Sequence, residues 1–220
     1  MFRKVYEDLL AMSKLAFKQL QLIKEKLDGI ELLDREEEFD QNELMLDGLE
    51  VKIRKNVINS IVLYGPRASD LRKIMSCYDI AMHLERVGDL VLNIRNQLRD
   101  VDFDSPVYDH LHEQLSKLLA SAELMVRNAI SSFTHEDISL TQETIHMDDY
   151  VDSLFHDIRR ELVTFAADKT TSAPQLAEVI SLNSLSYHIE RIADEATNIA
   201  EAAVYLIEGR TIQHAGELPL

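Results

Sequence analysis

The chain is poor in everything that punctuates or staples a polypeptide. Its 220 residues include only 6 Gly, 4 Pro and a single Cys. One cysteine excludes an internal disulfide framework and suits a reducing compartment, so a cytoplasmic location is expected. So few breaking residues argue against many short strands and for a few long elements. There is no run of about 18 apolar residues, so no membrane span is expected. The opening Met1-Phe2-Arg3-Lys4-Val5-Tyr6-Glu7-Asp8 brings acids at once and lacks the apolar region of a secretory signal. Positive charge is scarce too: 39 acids against 23 bases give a formal net charge of −16. Nucleic-acid binding needs Lys and Arg to displace counterions, so nucleic acid is not an expected partner. Cations and basic protein surfaces are, although the same charge also serves plain solubility.

What is present points to a helical protein with a sizeable core. Hydrophobic residues make up 46% and charged residues 28%, the balance of a globular chain long enough for one large domain or two small ones. Breaks fall at Gly29, Gly65-Pro66, Ser105-Pro106, Thr134-His135-Glu136, Ser172-Ala173-Pro174 and Gly209. Pro106 and Pro174 follow small polar residues, as prolines of a first helical turn do, and Ser69 reads as an N-cap. Between the breaks the apolar residues step by four and three. Ile80, Leu84, Val87, Val91, Ile94 and Leu98 form one seam, and Leu185, Ile189, Ile192, Ala196, Ile199 and Ala203 form another. Six helices in an all-α fold are expected.

The two seams are the same seam, displaced by 105 residues. That offset lays His83-Leu84-Glu85-Arg86-Val87-Gly88-Asp89 on His188-Ile189-Glu190-Arg191-Ile192-Ala193-Asp194, and Asn93 on Asn198. It also lays Glu43, Asp47, Leu49 and Ile53 on Asp148, Asp152, Leu154 and Ile158. One ungapped shift that satisfies two separate helices is the mark of a duplication. The expected architecture is two tandem three-helix bundles, residues 1–104 and 105–220, side by side.

The repeated unit carries carboxylate pairs four residues apart: Glu43/Asp47, Glu85/Asp89, Asp148/Asp152 and Glu190/Asp194. Such pairs share one face of a helix, and antiparallel packing could bring two pairs together in each half. Two like charges about 6 Å apart repel by roughly 3 kcal/mol at an effective dielectric near 20. Protons, splaying into water or a bound cation relieve this, and all-oxygen ligands suit Mg²⁺, Mn²⁺, Ca²⁺ or iron. A helical wheel gives the plainer alternative, since it sets Glu85, Asp89 and Asn93 opposite the apolar seam, where a solvated face belongs. His156 reads as a surface residue, His83 and His188 as packing histidines, and Arg86 and Arg191 as salt-bridge partners or anion anchors. Glu36-Glu37-Glu38 reads as an acidic helix start.

Two stretches resemble a known family. Pro66-Arg67-Ala68-Ser69-Asp70-Leu71-Arg72 is similar to the entry to the third helix of PhoU proteins. Leu84-Glu85-Arg86-Val87-Gly88-Asp89 resembles their Leu-Glu-Arg-Ile-Gly-Asp signature, and Ile189-Glu190-Arg191-Ile192-Ala193-Asp194 looks like its second copy. The resemblance implies two three-helix bundles, often as a homodimer, that regulate phosphate uptake negatively and link a phosphate-specific ABC transporter to a sensor histidine kinase, with peripheral membrane association only through those partners. It further implies metal, iron or zinc in some members and here also manganese or magnesium by ligand type. The ligands carried over are Glu43, Asp47, Glu85, Asp89, Asp148, Asp152, Glu190 and Asp194. Three positions depart from the pattern: Glu43 stands where Asp is commoner, Ala193 replaces the Gly of the first copy, and Glu195 stands where His is common. A helical adaptor for another transporter is an alternative. A di-metal carboxylate enzyme is a poorer one, since only Glu143-x-x-His146 supplies the Glu-x-x-His spacing it needs. No catalytic activity is expected.

Overall fold

The structure, a computed structural model, describes residues 2–30, 35–168 and 171–210. These form six helices: α1 Phe2–Leu27, α2 Glu36–Tyr64, α3 Ala68–Leu98, α4 Pro106–His135, α5 Ile138–Ala167 and α6 Ala173–Glu208. No strand occurs among the described residues.

The helix ends follow local chemistry. Ser105 caps α4 by accepting the Tyr108 N–H at 3.0 Å, with Pro106 in the first turn. Ser172 and Gln175 form a reciprocal capping box at the start of α6. α2, α4 and α6 stop at residues in the left-handed region: Gly65 (φ 51°), Glu136 (φ 53°) and Gly209 (φ 70°). Ser69 does not cap α3. That helix begins one residue earlier, at Ala68 after Arg67, so Ser69 lies inside the first turn.

Both predicted seams are buried along their whole length. α1, α2 and α3 pack on one another, as do α4, α5 and α6, and the halves join where α3 lies along α6 and α1 meets α4. A single apolar cluster runs through both. Near the start of α3, Lys73 pairs with Glu136 at 3.2 Å and the Arg72 guanidinium rests against Gly209, just past α6. At the other end Ser105 donates to Glu178, near the start of α6, at 2.5 Å, and the Tyr108 hydroxyl donates to the Leu27 carbonyl. α3 and α6 therefore run antiparallel, and the α2–α3 and α5–α6 turns lie at opposite ends of the molecule.

Candidate metal centre

Each half brings its two carboxylate pairs to one place. In the first, α2 supplies Glu43 and Asp47 and α3 supplies Glu85 and Asp89. Glu43 is the deepest, buried between the helices, Glu85 is half-buried, and Asp47 and Asp89 are exposed. Burial, and then the charges of Asp89, Asp47 and Glu85, push the Glu43 carboxyl up to about 8. Burial and the charges of Asp89, Asp47 and Glu50 raise Glu85 as well. Of the stripe that the helical wheel sets toward solvent, Asp89 and Asn93 are exposed, and Glu85 is drawn part-way into the contact between α2 and α3.

Gly88 is what permits that contact. A Cβ there would lie 2.6 Å from Glu43 Oε2 and 2.7 Å from Leu46 Cδ1, so α2 rests its glutamate directly on the α3 backbone. The equivalent positions in the second half hold Asp148 and Ala193. There the acid is one methylene shorter and the residue at the glycine position one methyl larger, so each half departs from the family pattern at one of the two positions.

In the second half α5 supplies Asp148 and Asp152, and α6 supplies Glu190 and Asp194. Burial and the charges of Asp194 and Asp152 push Glu190 up to about 7, against the opposing pull of Arg191. Burial, Asp152 and Asp194 raise Asp148, which also accepts a hydrogen bond from Thr197 Oγ1 at 3.3 Å. Burial raises Asp194, opposed by the Arg191 guanidinium 2.9 Å away.

Three contributors were missed in the sequence. Gln19 of α1 donates to Glu43 Oε2 at 3.3 Å from a fully buried position. Glu50, one turn beyond Asp47, adds negative charge while pairing with Arg54 at 2.5 Å. Gly88 carried the one legible signal, a glycine in mid-helix where alanine is favoured by about 1 kcal/mol. His83 proves to be more than a packing residue. Its Nδ1 lies 2.6 Å from Glu195 Oε2, with Arg86 at 3.6 Å from the other oxygen, and this buried link ties α3 to α6. Burial alone would raise Glu195, but the His83 hydrogen bond and the charges of His83, Arg86 and Arg191 outweigh it and lower its pKa. His156 and His146 are exposed and each bonds only to its own helix backbone, at Asp152 O and Gln142 O, among the described hydrogen bonds.

The donor set suits a hard cation: it is all oxygen, and each cluster holds a buried oxygen (Glu43 Oε1, Glu190 Oε2) without a hydrogen-bond partner among the described residues. As placed, no group of three or more His, Cys, Asp or Glu among the described residues is arranged to hold an ion. Repulsion is met instead by the raised pKa of Glu43 and Glu190, which favours their protonated forms, and by the exposure of Asp47, Asp89 and Asp152. Coordination would require the outer carboxylates to turn inward.

The duplicated fold has counterparts among known proteins. The PhoU domain is matched twice, at residues 9–98 and 115–203. A phosphate-specific transport system accessory protein PhoU homolog of Aquifex aeolicus is 33% identical over 217 residues, covering 96% of each chain. Its counterpart "homolog 1" of Thermotoga maritima is 29% identical, over 89% of this chain and 85% of that protein. The crystal structure of PhoU from Pseudomonas aeruginosa superposes with a TM-score of 0.77 at 24% identity, covering 94% of this chain and 97% of that one. The Streptococcus pneumoniae phosphate transport system regulatory protein PhoU gives 0.74 at 18%, with 96% of each chain covered.

Proposed function

Because the chain belongs to the PhoU family, we propose that it is a non-enzymatic negative regulator of phosphate uptake. It acts in the cytoplasm, as a homodimer, between a phosphate-specific ABC transporter and a sensor histidine kinase. The observation that carries this reading is the family match in both halves, joined to relatives whose names place them with a phosphate-specific transport system. Deleting its gene should raise phosphate import and phosphate-starvation gene expression in phosphate-rich medium. Unchanged phosphate handling would remove the regulatory reading.

We further propose that Glu43, Asp47, Glu85 and Asp89 hold a divalent or ferric ion, and that Asp148, Asp152, Glu190 and Asp194 hold another. The ion supplies a fixed positive charge among clustered carboxylates. The chain's own part is to hold one deep oxygen in each cluster, Glu43 in the first and Glu190 in the second, and to offer the outer acids from the solvent side. Elemental analysis of natively purified protein should find metal, with less in Asp89→Ala and Asp194→Ala. Equal metal content in the three proteins would reject the ligand assignment.

A further inference from the structure

Charge is distributed along α2 in two blocks. Residues 36–50 hold seven acids and no base, and residues 51–64 hold three bases and no acid. The basic block continues through the α2–α3 turn: residues 51–73 contain six Lys or Arg and one Asp, a net +5 in a chain of net −16. Lys52, Arg54 and Lys73 face Asp8, Glu50 and Glu136. Lys55 and Arg67 are exposed and have no ion-pair partner among the described residues.

The same turn exposes apolar side chains. Ile58, Ile61, Val62, Leu63, Tyr64 and Leu71 all face solvent, with Val62 75% exposed and Leu63 and Tyr64 67% each. Ile61 to Tyr64 are consecutive, so their side chains leave the helix about 100° apart and point in nearly every direction. A flat protein face would cover only part of such a tip. A medium that surrounds it covers all of it, while long basic side chains keep their charged ends in water. The second half is built differently. The offset of 105 puts Ala166, Ala167, Asp168 and Lys169 where the first half has Ile61, Val62, Leu63 and Tyr64, and residues 156–178 hold three bases against four acids.

We propose that the α2–α3 tip, residues 58–71, inserts into the surface of an anionic lipid bilayer. Lys55 and Arg67 meet the headgroup charge, and Ile61 to Tyr64 enter the boundary with the acyl chains. Docking end-on keeps the carboxylate clusters of the first half away from the lipid, and of the acids at this end Glu136 is paired with Lys73. Glu43 lies 20 residues before Leu63 in the sequence, about 30 Å along the helix axis, against a screening length of about 8 Å at physiological salt. The proposal adds a direct membrane contact to any contact made through a transporter, and it does not depend on the regulatory reading.

The test is flotation of the purified full chain with protein-free vesicles, either phosphatidylcholine alone or phosphatidylcholine with an equal part of phosphatidylglycerol. Binding is expected to the second kind only and to weaken with added salt. Lys55→Gln and Arg67→Gln should each lower the partition coefficient about fivefold. The pair Val62→Asp and Leu63→Asp should lower it at least about tenfold. Val163→Asp, at the equivalent of Ile58 in the other half, should leave it unchanged. Circular dichroism of each surface variant should match the parent. Three outcomes would each overturn the proposal: no preference for phosphatidylglycerol, equal loss in Val163→Asp, or a concentration-dependent dimer that the tip variants abolish without any vesicle binding. Because the vesicles carry no protein, failure here leaves the regulatory role standing, and an unchanged phosphate phenotype leaves this result standing.

Discussion

Replacing Gly88 by alanine sets two effects of known size against each other. Helix propensity favours alanine by about 1 kcal/mol in a helix interior. The new Cβ would meet Glu43 Oε2 at 2.6 Å and Leu46 Cδ1 at 2.7 Å, closer than real Cβ atoms approach their neighbours. Leu46 is 0% and Glu43 8% exposed, so neither side chain can swing freely into water. Overpacking of this kind costs about 1–3 kcal/mol. The expected net effect of Gly88→Ala is a destabilisation of about 1 kcal/mol, from the difference of the two. Glu43→Asp draws the carboxylate back by one methylene and relieves the first contact, though not the second. Alone it should cost about 1 kcal/mol, for the lost methylene and the weakened Gln19 hydrogen bond. The double variant should then be more stable than the sum of the singles by about 1 kcal/mol, read by urea unfolding of metal-free protein. Additivity within about 0.5 kcal/mol would refute the idea that Glu43/Gly88 and Asp148/Ala193 are interchangeable solutions to one packing problem. The reciprocal pair, Asp148→Glu with Ala193→Gly, should show coupling of the same sign.

Three further outcomes are expected. Glu43 and Glu190 are held up to about 8 and about 7, above their ordinary 4.5. The unfolded chain therefore ionises first as pH rises, so metal-free protein should lose stability from about pH 4.5 to about pH 8; thermal melts of Glu43→Gln should show a flatter profile. Metal binding near pH 7 should release protons, seen in titration calorimetry as a heat that changes with the buffer's ionisation enthalpy; buffer-independent heats would count against displacement of the Glu43 proton. His83→Ala would leave the buried Glu195 carboxylate only the more distant Arg86 and should destabilise by about 2–3 kcal/mol in denaturant unfolding, whereas His83→Ala with Glu195→Gln should recover much of that.

The six helices were legible because each carries a continuous seam and the breaks between them are few. The duplication was legible because it left an ungapped offset across two helices. The spacing puts the carboxylates in pairs, but it does not say which member of each pair is deep: Glu43 is buried and Glu85 half-buried, while Asp47 and Asp89 are exposed. A wheel drawn around one seam assumes one packing partner, and α3 has three: α1, α2 and α6. Its polar stripe therefore divides: Asp89 faces solvent as the wheel expects, while Glu85 is half-buried beside α2. Gln19 could not be identified at all, since its partner Glu43 lies 24 residues away on another helix. The same holds for His83 and Glu195, 112 residues apart, whose meeting depends on how the two halves dock.

That docking gives a duplicated molecule an orientation. Shifting by 105 residues carries His83 onto His188, but Glu195 back onto Leu90. The polar bond across the junction thus has no mirror counterpart: one histidine has an acid to hold, and the place of its twin's acid is taken by a leucine. A partner that approaches the seam between the halves meets a left side and a right side that differ in charge. Two modules of one design can then be told apart by whatever binds them.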